Sequence, residues 1–306
     1  MPHLRCVQGL ALQNSWLTIG VFDGVHRGHQ AIIQKLTAGA HLNGAPAVVI
    51  SFHPHPASVL TGIQIPYLTM PAERAELLQA LGVDYVITLP FSRELAAQSP
   101  EEFMAAVAAP LGLRHLLIGY DFALGKDRAG TPARLAEIGR QLGYETQTLE
   151  AIQIDGTILS SSQVRILLQS GEVRLAAAIL GRSYSLTGGI ISGDGRGRTI
   201  GIPTANVDFP AGKLLPALGV YVCRAHVAGK THRAVVNIGL RPTFTSGEST
   251  PRVEAHLLDF SADLYGQTMR LDFVEHLRGE KKFDSAEALV MQIHADIERA
   301  RKINLA

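Results

Sequence analysis

At 306 residues, 46% of them hydrophobic, the chain is longer than a single core usually supports, so two domains are expected. A formal net charge of +1 with 18% charged residues excludes a protein that works as a broad polycation on nucleic acid, and any anion site must be local. Cys6 and Cys223 match no metal or redox spacing, and no secretory core or uninterrupted membrane-length apolar run is present, so a soluble cytoplasmic chain without nucleic-acid or membrane partners is expected.

In chain order, LTIGVF, AVVISF, YVITL, HLLIGYDF and TQTLEAI read as buried strands separated by helix-patterned segments. Ser99-Pro100-Glu101-Glu102 combines an N-cap, a proline at the first helical position and a capping-box glutamate, and Thr131-Pro132 repeats the start signal. Glycines 44, 82, 112 and 143 stand where helices should stop. The pattern is βαβαβαβαβ, an α/β fold with a doubly wound parallel sheet that should bind ligands at the carboxyl ends of its strands. Ser160 to Gly181 reads as two short helices joining the halves, and the boundary is expected at 180, giving domains 1–180 and 181–306. Beyond it, VYVCRAHV, AVVNIG, RVEAHLLDF and MRLDFVEH alternate in period two, which predicts an antiparallel β-barrel domain. A terminal helix follows, with Asp284 as its expected cap and Ala286, Leu289, Val290, Ile293 and Ile297 as a packing stripe.

The stretch TIGVFDGVHRGHQAII puts His26 and His29 on the first turn of a helix behind a glycine-bearing turn. A helix N-terminus presents free N–H groups and favours an anion, so phosphate binding is one reading. A zinc site with His53 and His55, or plain packing, are the alternatives. Gly20-x-Phe22-Asp23-Gly24-x-His26-x-Gly28-His29 resembles the signature of the HxGH nucleotidyltransferases, which transfer a nucleotidyl group with loss of pyrophosphate. Phe52-His53-Pro54-His55-Pro56, Gly119 to Gly125 and Leu159-Ser160-Ser161-Ser162-Gln163-Val164-Arg165 are similar to the prokaryotic FAD synthetase branch, with Ser162 where threonine is usual and His53 where an acid is more frequent. The resemblance implies a Rossmann-like domain with His26, His29 and Arg165 as catalytic groups, Phe22, Asp23, Gly24, Gly28, Asp121, Ser161 and Ser162 around ATP, and His55 near the flavin. From the residues alone, Ser161 and Arg165 can also be a cap and a solvated cation, Asp121 a loop cap, and Lys126 and Arg128 surface charge.

Gly193-Asp194-Gly195-Arg196-Gly197-Arg198-Thr199-Ile200-Gly201 fits neither a dinucleotide fingerprint nor a Walker loop. It is either a phosphate cradle, with Arg196 or Arg198 adding charge, or a glycine hairpin. In the continuation Gly201-Ile202-Pro203-Thr204-Ala205-Asn206, the Thr204 hydroxyl and Asn206 amide oxygen are hard donors acceptable to Mg2+. This stretch, with Gly219-Val220-Tyr221, Asn237-Ile238-Gly239, Arg241-Pro242-Thr243-Phe244, Val253 to Asp259 and Leu264-Tyr265-Gly266, is similar to the riboflavin kinase domain, so the chain resembles the prokaryotic bifunctional riboflavin kinase/FAD synthetase family. That resemblance implies Mg2+ and ATP at Thr204 and Asn206, ATP along Gly193, Gly195, Gly197 and Gly201, and Glu254 as base for the riboflavin 5′-hydroxyl. Its substrates and products would be riboflavin, FMN, FAD and ATP. A nucleotidyltransferase of other specificity and a non-catalytic flavin-binding sensor are the alternatives.

Overall fold

The computed structural model describes residues 3–150, 153, 154, 157–192, 197, 200–242 and 249–305. They divide into two compact units, residues 1–161 and 162–306.

The first unit runs β1 (His3–Leu4), β2 (Ser15–Ile19), α1 (Arg27–Leu42), β3 (Ala47–His53), α2 (Pro56–Thr61), α3 (Pro71–Ala80), β4 (Tyr85–Pro90), α4 (Arg93–Ala96), α5 (Pro100–Leu111), β5 (Leu113–Gly119), α6 (Pro132–Leu142) and β6 (Glu145–Leu149). β1 to β6 form one parallel sheet in the order β1-β4-β3-β2-β5-β6. A separate antiparallel pair, β7 (Gln153–Ile154) and β8 (Thr157–Ile158), follows. Side chains alternate across the sheet, and each face has its own helices. Leu17, Val48, Ile50, Leu116 and Ile118 pack with Phe103, Met104 and Val107 of α5 and Leu135 and Ile138 of α6. Val49, Val86 and Leu117 pack with Ile33, Leu36 and Ala40 of α1 and Ala75 and Leu78 of α3. The sheet is therefore doubly wound. It has one strand more than the sequence pattern predicts, because the two residues of β1 carry no periodicity of their own.

The start and stop signals act as their chemistry requires. The Ser99 hydroxyl accepts from the Glu102 N–H at 3.2 Å, and the Glu102 carboxylate accepts from the Ser99 N–H at 2.8 Å. Gly112 and Gly143 end α5 and α6 in the left-handed region. Gly112 is doubly constrained, since a Cβ there would lie 2.2 Å from the Leu12 carbonyl oxygen. Two strands stop earlier than their apolar runs. β2 ends at Ile19, and the backbone turns through Phe22 at φ +50°. β5 ends at Gly119, where the Phe122 N–H donates back to the Gly119 carbonyl at 3.1 Å.

The second unit contains nearly all of α7 (Ser161–Gln169), then α8 (Val173–Leu180), β9 (Tyr184–Ile191), β10 (Ala205–Asp208), β11 (Gly219–Val227), β12 (Lys230–Pro242), β13 (Ser249–Leu257), β14 (Thr268–Arg278) and a terminal helix, α9 (Ala286–Lys302). The six strands close into an antiparallel barrel in the order β10-β13-β12-β11-β14-β9. α8 packs against β9 and β14, which groups it with the barrel. On β11, Tyr221 and Cys223 alternate with Val220 and Val222, and both sets are buried. Tyr221 meets Phe273 edge-on at 5.3 Å, while Val220 and Val222 pack under Ile297 and Ala300 of α9. The cap of α9 differs from expectation: Ser285, not Asp284, accepts from the Ala288 N–H at 3.2 Å. The apolar stripe also packs unevenly. Ile297, itself partly buried, packs against the core, whereas Ala286 is exposed and Leu289, Val290 and Ile293, also partly buried, do not join that cluster.

Candidate functional site

In the first sheet the chain steps from β2 outward through β3 and β4, then returns to the other side of β2 with β5 and β6. The gap beyond the carboxyl ends of β2 and β5 is thus the topological switch point, where ligands of open α/β sheets bind. The segment 20–26 leaves β2 there, and the segment 120–125 leaves β5 there.

His26 is the N-cap of α1, and its Nδ1 accepts from the His29 N–H at 3.3 Å. With Nδ1 used as an acceptor, neutral His26 carries its proton on Nε2, which makes that nitrogen a donor. The His26 and His29 rings stack with centroids 3.6 Å apart, and Phe22 meets His29 edge-on at 5.2 Å. Burial, then His26 and Arg74, hold His29 well below the usual histidine pKa, so it is neutral near pH 7. Its Nδ1 is buried and has no hydrogen-bond partner among the described residues. Gly28 leaves this packing its room, because a Cβ there would stand 3.1 Å from Cε1 and Nδ1 of His26.

Asp23 lies below this surface, 1% exposed. Its carboxylate accepts from the Leu68 N–H at 3.0 Å, the Thr69 N–H at 2.9 Å and the Thr69 hydroxyl at 3.0 Å. The Thr69 hydroxyl in turn accepts from the Gly24 N–H at 2.9 Å. Arg74, also 1% exposed, sits 4.0 Å from Asp23 and donates to the Val21 carbonyl at 2.7 Å and the Ser51 hydroxyl at 2.9 Å. This buried network fixes the turn that delivers His26. Thr69 and Arg74 carry no motif, and sequence reasoning missed both.

Ser161 reaches the same turn, its hydroxyl donating to the Asp23 carbonyl at 2.8 Å. Ser162 and Arg165 follow on α7, with Arg165 one helical turn beyond Ser161 on the same helix face. Asp121 is exposed just past β5, and Arg128 donates to its carbonyl at 3.3 Å. Lys126 and Arg128 lie on an exposed 3-10 turn. The zinc alternative fails on geometry: among the described residues no group of three His, Cys, Asp or Glu is placed to hold a metal. His55 instead caps α2, its Nδ1 accepting from the Ala57 N–H at 3.1 Å. His53 lies 5.3 Å from the Tyr67 ring, and burial, then Arg74 and Arg5, lower its pKa.

In the barrel, three strands set polar groups in a row. Glu254 on β13 is paired with Asn206 on β10 and with Asn237 on β12. Directly paired residues on one face have Cβ atoms about 5 Å apart, so the three side chains flank one another. Val253, Ala255 and Leu257 take the opposite, buried face, and Glu254 stays half-exposed with Arg252 3.5 Å away. Asn206 is 8% exposed, and its Oδ1 is buried with no hydrogen-bond partner among the described residues. An orphaned amide oxygen beside a carboxylate is the donor set a hard divalent cation takes. Thr204, two residues earlier, lines a cavity of about 470 Å³ with Pro203, Ala205, Leu257, Phe260 and Leu264. The turn before it is tight. Gly201 has φ +75°, the Ile202 N–H donates to the Gly197 carbonyl at 2.8 Å, and a Cβ on Gly197 would strike the Ile202 carbonyl. Gly193 and Gly195, with Arg196 and Arg198, lie outside the described residues. Asn237 appears in the sequence only as part of a resemblance; its place beside Glu254 follows from strand register, which sequence does not print.

A family model for FAD synthetase matches residues 10–163, and one for riboflavin kinase matches residues 180–304. The bifunctional riboflavin kinase/FMN adenylyltransferase of Pseudomonas fluorescens is 38% identical over 287 residues, covering 94% of this chain and 92% of that one. The chain belongs to the bifunctional riboflavin kinase/FMN adenylyltransferase family. The relative of that name from Escherichia coli K12 is 35% identical, with 94% of this chain and 91% of that one covered. The crystal structure of a protein from Streptococcus pneumoniae described as a macrolide-efflux protein has a TM-score of 0.90, 29% identity and 99% coverage of both chains. Among the described residues of this chain, no helix is long and apolar enough to cross a membrane. The FAD synthetase match covers the constellation in the sheet unit, and the riboflavin kinase match covers the constellation in the barrel.

Proposed function

We propose that the chain makes FAD in two steps, phosphorylating riboflavin in the barrel and adenylylating FMN at the sheet, with the functional boundary in the α7–α8 segment. In the first step the riboflavin 5′-hydroxyl attacks the γ-phosphorus of ATP, the bond to ADP breaks, and Glu254 takes the hydroxyl proton. Thr204 and Asn206 would hold Mg2+, which when bound neutralises the phosphate charge and supports in-line transfer. The cavity beside Thr204 offers apolar walls for the adenosine half of ATP, and Gly193, Gly195, Gly197 and Gly201 supply backbone for its phosphates.

In the second step a phosphate oxygen of FMN attacks the α-phosphorus of a second ATP, and the bond to pyrophosphate breaks. Negative charge grows on the leaving group. The Nε2–H of His26, neutral His29 and the free N–H groups of the first turn of α1 meet it, with Arg165 adding a fixed cation. Phe22, Gly24, Gly28, Ser161 and Ser162 shape the pocket, Asp121 contacts the nucleoside, and His55 contacts the flavin. Asp23 acts through the Thr69 and Arg74 network that sets the turn.

The observation that carries the two-step reading is the pairing of orphaned Asn206 with Glu254. Without that pair the sheet would be a nucleotidyltransferase with no source of FMN on the same chain. Incubation of the purified protein with riboflavin, ATP and Mg2+ tests it: chromatography is expected to show FMN followed by FAD, and the absence of both products refutes the proposal.

A further inference from the structure

The backbone around Thr204 is held from two sides. Upstream, the Gly197 to Ile202 turn closes on its own hydrogen bonds. Downstream, the ladder begins with Ala205 paired to Ala255. Between these lies the Pro203–Thr204 peptide, and the His256 side chain reaches it, with Nδ1 2.8 Å from the Pro203 carbonyl oxygen. A carbonyl only accepts, so His256 donates from Nδ1. His256 shares the face of β13 that carries Glu254, two residues away.

The peptide unit is planar, so fixing the Pro203 oxygen also fixes the amide and Cα of Thr204. The Thr204 hydroxyl is then one side-chain torsion from a determined position. We propose that His256 is a positioning residue for the kinase step, clamping the Pro203–Thr204 peptide so that the Thr204 hydroxyl and Asn206 amide oxygen meet ATP and its cation together. The inference rests on Thr204 and Asn206 serving that role. It adds that the strand carrying the base also sets the turn carrying the nucleotide contacts, so base and nucleotide are registered by one stretch of β13.

His256→Ala removes the clamp, and His256→Asn replaces it with an amide N–H at a similar distance along the side chain. Riboflavin phosphorylation is measured against ATP at fixed excess Mg2+, and conversion of supplied FMN to FAD serves as a control in the same preparation. One hydrogen bond of about 1 kcal/mol corresponds to a rise in KM for ATP of about fivefold in His256→Ala, with kcat within about threefold. His256→Asn is expected to restore KM to within about twofold of the parent, and neither variant should change FAD formation from FMN. An unchanged KM in His256→Ala, an Asn variant as impaired as the Ala variant, or joint loss of both activities overturns the proposal. Thr204→Val separates the layers. An unchanged KM there refutes Thr204 as an ATP contact and removes the reason for the clamp, while a raised KM there with a normal His256→Ala refutes the clamp alone.

Discussion

Gly28→Ala separates stability from catalysis at the sheet site. In the first turn of α1 an alanine lowers the backbone entropy lost on folding, a gain of roughly 0.5–1 kcal/mol. The new Cβ stands 3.1 Å from Cε1 and Nδ1 of His26 and 3.8 Å from the Leu159 Cβ. The imidazole must therefore retreat by a few tenths of an ångström. Its freedom is limited, because it accepts the His29 N–H at 3.3 Å and stacks on His29 at 3.6 Å. Weakening that cap costs about 1 kcal/mol, so the two terms nearly cancel and the melting temperature should move by only a few degrees. Catalysis does not benefit from the cancellation. Displacements approaching 1 Å cost about 100-fold in rate, so a shift of a few tenths should reduce FMN adenylylation by about three- to fivefold. Initial rates of FAD formation from FMN, beside a thermal melt, test this. A variant that melts normally and adenylylates FMN at the parent rate would refute the role given to the His26 position.

Three further outcomes follow from the same geometry. Thr69→Val deletes the hydroxyl between Asp23 and Gly24 and should destabilise the protein by about 2–3 kcal/mol in urea titration; a loss below about 0.5 kcal/mol would mean the network does not hold the turn. Asn206→Ala should raise the Mg2+ concentration needed for half-maximal riboflavin phosphorylation by about tenfold while leaving FAD formation from FMN intact, and an unchanged Mg2+ dependence would refute Asn206 as a ligand. Because the folded-state pKa of His29 is depressed, the unfolded chain takes up a proton that the folded chain refuses as pH falls below about 6.5, so stability should fall there. Urea midpoints at pH 7.5 and 5.5 read this, and the slope should flatten in His29→Ala.

The strand pattern, the caps at Ser99 and Thr131 and the change of period near 180 are local signals, and local signals were legible. His26, His29, Thr204 and Asn206 are singled out by short motifs with a chemical reason for their spacing, and Glu254 by the resemblance of its strand to the riboflavin kinase domain. What was not legible depends on distance along the chain. Asp23 meets Thr69 across 46 residues, and nothing in either segment announces the other. Asn237 reaches Glu254 only through barrel register, and His256 reaches Pro203 only because β10 and β13 are neighbours. The misassigned cap at Asp284 shows a smaller limit. Asp284 and Ser285 are both good caps, and it is the second, in extended backbone, that precedes the first helical residue.

The central claim is that two chemistries reside in separable sites on one chain. Product analysis of Glu254→Gln with riboflavin and, separately, with FMN tests it most directly. The variant should form no FMN from riboflavin yet convert supplied FMN to FAD at the parent rate, with His29→Ala showing the reverse pattern. Equal loss of both activities in either variant would contradict it.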